Sequence, residues 1–171
     1  MSTHHVPRES PQAGAERAVK LRPATMNDAA DLLRWRNDPQ TRAMSLSDAI
    51  VSLEAHRRWM EAKMSDPASR VYIAEDRERG LSVGVGRLDI VAAGRVLLSL
   101  TVDPEQRGRG YAMRIIEQLV ACVQTGDAGQ LAVLVAEVRE ENQASLRAFT
   151  AAGFEPSGHG DRGLVTLERR S

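Results

Sequence analysis

The chain has 171 residues, of which 42% are hydrophobic and 27% charged, and it carries a single cysteine. That length and balance fit one domain burying its own core without disulfides or metals, and they exclude disordered and fibrous classes. Lys plus Arg and Asp plus Glu number 23 each, so no net field draws the molecule to nucleic acid or to an anionic membrane. A small-molecule or peptide partner is expected instead.

Residues 1–18 mix Ser, Thr, His, Pro, Glu, Arg, Gly and Ala with little that is large and apolar, and are expected to form a flexible tail before one domain over 19–171. The N-terminus lacks the apolar stretch of a secretion signal and no run approaches membrane-spanning length, so the cytoplasm is the expected compartment. A short extended segment from Val19 stops at Pro23. Thr25 or Asn27 then caps a predicted helix bearing Ala30, Leu32, Leu33 and Trp35, which Asp38-Pro39 closes. Ser52 caps a second helix, Leu53 to Met64, in which Leu53, His56, Met60 and Met64 recur at helical spacing, and Asp66-Pro67 ends it.

Beyond that point the period changes. Val71 and Ile73, then Val83, Val85, Leu88 and Ile90, alternate as strands do, with turns at 77–80 and 92–95, and Val96 to Val102 makes a third strand. Such an antiparallel meander sets aside a fully parallel doubly wound sheet. A helix from about Arg109 to Gln124, a strand from Leu131 to Val138 and a helix from Asn142 to Ala152 follow. A hairpin around Gly160 to Gly163, with Leu164 to Leu167 as its last strand, completes the order β, α, α, β, β, β, α, β, α, β, β. The fold class is α+β. Cys122 falls among Ile115, Ile116, Leu119, Val120 and Val123 and reads as a small core residue, without a basic neighbour to make it a nucleophile. His4 and His5 lie in the tail while His56 and His159 stand alone, so no metal site is expected.

The segment Val102-Asp103-Pro104-Glu105-Gln106-Arg107-Gly108-Arg109-Gly110-Tyr111-Ala112 joins an apolar strand to an amphipathic helix. Its glycines free the backbone to gather N–H groups at the positive end of a helix dipole, which attracts a phosphate. Arg107 and Arg109 add charge at the rim. The glycines do not decide the matter by themselves. The third glycine of a dinucleotide fingerprint is missing, no Gly-Lys-Ser/Thr of a Walker loop follows, and a plain strand-to-helix turn with solvated arginines stays open.

Two motifs in sequence narrow the choice. Residues Arg107-Gly108-Arg109-Gly110-Tyr111-Ala112 match a Q/R-x-x-G-x-G/A signature, and Asn142 to Phe154 resembles N-x-x-A/S-x-x-x-Y/F-x-x-x-G-F; both belong to the GNAT N-acetyltransferases. The resemblance covers roughly residues 19–169. It implies the GNAT fold: a mixed, mostly antiparallel sheet of six or seven strands, splayed at the cofactor site and flanked by about four helices. It also implies acetyl-CoA as cofactor and CoA as product, with the pyrophosphate resting on the turn Arg107, Gly108, Arg109, Gly110, Tyr111 and Ala112. The pantetheine arm is then expected between the strands near Leu98 to Val102 and Leu131 to Glu137, pairing with backbone as an added strand does. Leu100, Thr101 and Val102 form the strand wall, and an amide there is the oxyanion donor. Asn142 and Ser145 face the arm and its sulfur, although Asn142 serves equally well as a helix cap. Phe149 stands among the cofactor-side positions, yet it, Gly153 and Phe154 suit packing and helix termination better than ligand contact.

Direct attack by a neutral amine on a thioester needs a base, an oxyanion donor and an acid for the departing thiolate. The family's frequent Tyr is Phe149 here, so the acid falls to Ser145 or water, and Tyr111 at the phosphate turn is no replacement. The strand Val96 to Val102 has no Asp, Glu or His, which leaves Asp89, Glu137, His56 or a water chain as the base. The stretches Leu33 to Pro39 and Ser52 to Trp59 resemble GNAT enzymes that acetylate nucleotide-linked amino sugars, nearest to those of pseudaminic-acid biosynthesis. That resemblance puts Arg36, Asn37, His56 and Trp59 beside the acceptor, while core packing for Trp35 and Trp59 and helix capping for Arg36 and Asn37 remain open. A ribosomal-protein-like N-terminal acetyltransferase shares the Arg-Asn-Asp element and is one alternative; a catalytically silent acyl-CoA-binding module is another. Such folds also allow a homodimer through sheet edges or the last hairpin.

Overall fold

In the computed structural model, which describes residues 19–125, 133–161 and 163–170, the first four strands lie side by side in the order in which they are read. β1 (Val19–Pro23), β2 (Ser69–Asp76), β3 (Leu81–Ala92) and β4 (Arg95–Val102) pair antiparallel in succession. α4 (Tyr111–Thr125) then leads over the sheet to β5 (Val133–Arg139), which pairs parallel with β4 as strands joined by a helical crossover do. β6 (Glu155–Gly160) and β7 (Leu164–Arg170) close a seven-stranded sheet of order β1-β2-β3-β4-β5-β7-β6. One parallel pair in an otherwise antiparallel sheet matches the expected mixed architecture. No helix among the described residues is long and apolar enough to cross a membrane.

Strand alternation sends neighbouring residues to opposite faces, and each face has its own core. Ala74, Val83, Leu88 and Leu98 join α4 and α5 (Gln143–Ala151), whereas Val71 and Ile73 join Leu32 of α1 (Ala29–Asn37) and Met60 of α3 (Leu53–Ser65). On α4 the buried set Ile115, Ile116, Leu119, Val120 and Val123 follows the helical period, and each such side chain contributes about 1.5–3 kcal/mol by leaving water. Cys122 is half-buried beside this core. Two glycines of β3 let α4 and β4 come close. A Cβ at Gly84 lies 2.6 Å from the Thr101 carbonyl oxygen, and one at Gly86 lies 2.9 Å from Leu119 Cδ1.

Several boundaries differ from the sequence expectation, each for a local reason. α1 follows a 3₁₀ turn at Met26–Asp28 and buries Ala29, Leu32 and Trp35, leaving Ala30 exposed. On α3 only His56 and Met60 are buried; Leu53 and Met64 are 51% and 44% exposed, because the inward face is narrower than the periodic pattern. Asp38-Pro39 does end α1, but it also starts α2 (Pro39–Ala43): Pro occupies the first position and Asp38 Oδ2 accepts from Thr41 N at 2.9 Å. The α-helices among the described residues therefore number five. α4 begins at Tyr111 rather than near Arg109, since Gly110 stands at φ 78°, outside the helical region. The predicted tail and residues 131 and 132 of the predicted strand fall outside the described residues.

Candidate active site

Pairing between β4 and β5 covers only Arg95, Val96 and Leu97 with Val133, Leu134 and Val135, after which the strands separate. Asp103 N donates to Val83 O and the β3–β4 register is regular over Gly84 to Ile90, so by alternation the backbone groups of Leu100 and Val102 point away from β3, into the gap. The gap opens on a groove of about 490 Å³, lined by β4, the turn, α2 and the starts of α4 and α5. Gly108 and Gly110 take φ 72° and 78°, and a Cβ on either meets nothing within 4 Å. Backbone conformation, not lack of space, thus demands glycine at both.

The groove walls are pinned by side chains. Arg107 donates to Asp38 Oδ2 at 2.5 Å, to Thr41 Oγ1 at 2.7 Å and to Gln40 Oε1 at 3.1 Å, which fastens α2 to the turn. Burial pushes the Asp38 carboxyl up, but the Arg107 bond and the Thr41 amide outweigh it and hold the group below the usual carboxylate range. Tyr111 donates its hydroxyl to Asp76 Oδ2 at 2.5 Å, tying the start of α4 to the end of β2. That bond holds the Asp76 carboxyl low against the opposing push of burial, helped by the Arg79 and Glu78 amides. At the start of α5, Asn142 Oδ1 accepts from Ser145 N at 3.1 Å. At its end Phe154 N reaches Phe149 O and Gly153 N reaches Thr150 O, both at 3.0 Å, and the Phe149 and Phe154 rings meet edge to face at 5.0 Å.

On the other face of β3 and β4 lies a cavity of about 320 Å³ between α1, α3 and the strands. Leu100 and Thr101 line both this cavity and the groove, so the two spaces meet on β4. His56 stacks on Trp59 with ring centroids 5.5 Å apart, and the Arg87 guanidinium lies 5.6 Å from the centre of the Trp59 ring. Burial first, then the charge of Arg36, lowers the His56 pKa, so the ring is neutral near pH 7. Arg36 Nη2 donates to Ser47 O at 2.9 Å. Among the described residues, the buried side-chain nitrogens and oxygens without a hydrogen-bond partner are Trp35 Nε1, Arg36 Nη1 and His56 Nε2. All three residues line this one cavity, and no Asp or Glu does.

A family model described as the acetyltransferase (GNAT) domain matches residues 18–155. The chain belongs to the GNAT acetyltransferases. It is accordingly an acetyl-CoA-dependent N-acetyltransferase. Solved structures show the same fold at low identity. A domain from Methanocaldococcus jannaschii DSM 2661 is 18% identical with a TM-score of 0.79, over 90% of this chain and 99% of that one. Spermidine N-acetyltransferase from Vibrio cholerae, in complex with CoA and spermine, is 17% identical with a TM-score of 0.77, over 90% and 94%. Aminoglycoside acetyltransferase AAC(6′)-Ib, in complex with coenzyme A, is 18% identical with a TM-score of 0.76, over 89% and 94%. None of the curated proteins gives a significant match.

In this acetyltransferase the residues expected on the cofactor side fall largely in one place. Leu100, Thr101, Val102, Arg107, Gly108, Gly110, Tyr111, Ala112, Asn142 and Ser145 all line the groove. Arg109 is exposed and outside the lining, and Phe149 is 3% exposed with its ring turned to Phe154 in the core. Of the residues expected on the acceptor side, Arg36, His56 and Trp59 line the cavity. Asn37 does not; its amide donates to Val51 O and accepts from Val51 N, both at 2.8 Å, so it holds Val51 against the cavity. Of the other base candidates, Glu137 is exposed and lines neither space. Asp89 also lines neither: it accepts from Lys63 Nζ at 2.8 Å, Ser69 Oγ at 2.7 Å and Arg87 Nε at 2.6 Å. Although burial pushes its carboxyl up, those donors hold it below the usual range, so Asp89 orients Arg87. Sequence reasoning missed Gln40, Thr41 and Met44 of the groove and Arg87 and Ser99 of the cavity. For the first group a signal existed, because Asp-Pro followed by Thr41 is a helix start as well as a helix stop.

Proposed function

We propose that this acetyltransferase moves acetyl from acetyl-CoA to the primary amine of a small-molecule acceptor, a nucleotide-linked amino sugar. The junction of groove and cavity at Leu100 and Thr101 supports this reading, because it lets two compounds enter from opposite faces of the sheet and meet at one strand. The groove suits acetyl-CoA: the turn offers the amides at the start of α4 to a diphosphate, and the open edge at Leu100 and Val102 offers hydrogen bonds to an amide-bearing arm. Ser145 and Asn142 face it from α5. The named activities of the Vibrio cholerae and aminoglycoside neighbours, both acetylations of amines, are in keeping with it.

Acetyl-CoA supplies the acetyl group as a thioester. As the new N–C bond forms and the C–S bond breaks, the amine proton passes to neutral His56, whose buried Nε2 has no hydrogen-bond partner in the protein. An amide of Leu100 or Val102 donates to the carbonyl oxygen, and Ser145 or a water passes a proton to the thiolate and is itself reprotonated, through solvent, by the proton that His56 took up. One observation favours a peptide acceptor instead. Leu46, Ile50 and Leu53, on either side of the cavity residue Val51, are 62%, 73% and 51% exposed and offer an apolar surface to a chain. Thiol release measured with UDP-amino sugars, short peptides and no acceptor separates these readings. Turnover of a sugar nucleotide is the expected result, turnover of peptides alone moves the N-terminal acetyltransferase to first place, and CoA binding without turnover of any amine overturns both.

A further inference from the structure

The cavity is short of hydrogen-bond acceptors and rich in donors. Trp35 Nε1 and Arg36 Nη1 can only donate, both are buried, and both lack a partner. Trp35 is 1% exposed, and with Arg36 it lines the cavity of about 320 Å³, so what these donors meet is set by what fills that space. The Arg36 guanidinium meets a backbone carbonyl, Ser47 O, and pairs with no carboxylate among the described residues. Arg87 differs, since its Nε already donates to a carboxylate, Asp89 Oδ2, at 2.6 Å. A substrate amine cannot satisfy these groups, because a neutral amine facing His56 offers its lone pair to the acetyl carbon and its N–H to the histidine. With the acceptor filling the cavity, the group that meets Trp35 Nε1 and Arg36 Nη1 is a second part of that molecule, rich in oxygen lone pairs.

We infer that the acceptor carries an oxyanion, a carboxylate or phosphate, that sits on Trp35 Nε1 and Arg36 Nη1 and turns the amine toward His56. This deepens the proposed function and rests on reading the cavity as the acceptor side. It also separates this enzyme from acceptors that carry only positive charge: a polyamine brings cations to a cavity lined by two arginines and no acid. Arg36 is thereby a specificity-determining residue, and the exclusion of cations is as much a part of its role as the attraction of anions.

Calorimetry on the CoA-saturated protein tests the inference without requiring turnover. The probes are matched pairs that cannot react: N-acetylglucosamine 1-phosphate with N-acetylglucosamine, and N-acetylglycine with its amide. At least one oxyanion-bearing member is expected to bind about tenfold more tightly than its neutral partner, the size of a charge-assisted hydrogen bond. The pair that shows the difference identifies phosphate or carboxylate as the source. Arg36→Met should erase the preference and Arg36→Lys should keep part of it, with the CoA-induced melting shift showing that each variant is folded. Trp35→Phe, which removes one N–H and keeps a ring, should narrow the preference by a smaller factor. Equal binding within both pairs, no binding of either anion, or a preference that survives Arg36→Met overturns the inference. Thiol release with the free amines separates the two claims: acetylation without preference for the anion leaves the proposed function standing and sinks the inference, whereas an Arg36-dependent preference with no amine acetylated does the reverse.

Discussion

The groove and the cavity share a strand, yet they are built in opposite ways. The groove is mostly backbone: a turn whose glycines stand at φ 72° and 78°, a strand edge left open, and two helix starts. The cavity is mostly side chains, brought together from α1, α3, β3 and β4 and held by bonds such as Asn37 to Val51 and Arg87 to Asp89. A backbone site tolerates change in the side chains around it and suits a ligand common to a whole family. A side-chain site changes its ligand with two or three substitutions. The contrast predicts that lesions in the cavity alter chemistry and choice of acceptor, while lesions in the groove alter donor affinity and stability.

The largest effect is expected from His56→Ala. Loss of the proposed base should lower kcat by about 10²–10⁴-fold while the CoA-induced melting shift persists; a drop of less than about tenfold would place the base elsewhere. Tyr111→Phe comes next, because it removes the hydroxyl from the buried Asp76 carboxylate and should cost about 1.5–3 kcal/mol in denaturant unfolding. Since that bond holds the Asp76 pKa below 3.8, the lost stability is present above that pH and fades in the wild type as pH falls through the folded value, so the two proteins should converge in acid. Gly84→Ala puts a methyl 2.6 Å from the Thr101 carbonyl oxygen, and should destabilise by about 1–3 kcal/mol and lower the melting temperature by several degrees. Gly110→Val forces a β-branched residue to φ 78° and should weaken CoA by about tenfold, from a backbone cost of about 1–2 kcal/mol, with kcat at saturating donor less affected.

The smallest effect is in pH dependence. His56 faces Arg36 from α1 and Arg87 from β3, and its folded pKa lies below 6.5. The unfolded chain therefore binds a proton more readily, so the histidine's contribution to stability is present above about pH 6.5 and is lost as pH falls through the folded value. The acid limb of kcat/KM should likewise fall below 6.5 and move with Arg36→Met, toward higher pH.

The same division explains what the sequence made legible. Strand alternation, the Gly108 and Gly110 turn, and the Asn142 to Phe154 helix are local patterns, and they led to the meander, the groove and its lining. The second motif has a plain physical content: Asn142 caps α5, and Phe149, Gly153 and Phe154 close it. The sequence does not reveal α2, because Asp38-Pro39 reads as a stop alone, and it starts α4 too early at Arg109, because nothing in the local pattern shows the positive φ of Gly110. The cavity was only half legible. Arg36, His56 and Trp59 stand in recognisable stretches, but that Trp35, Arg36 and His56, each with an unpartnered buried nitrogen, line one cavity depends on how α1 and α3 pack on β2 and β3, which no spacing reveals. Asp89 shows the converse, a titratable residue near the right strand that packing turns into an anchor for Arg87.

A crystal structure with CoA bound tests the central claim most directly. The diphosphate should rest on the amides of residues 107–112 and the arm should run along the open edge of β4, bringing the thiol to Leu100 and Thr101 where the cavity begins. CoA lying outside the β4–β5 gap, or a thiol opening away from His56, would contradict the account.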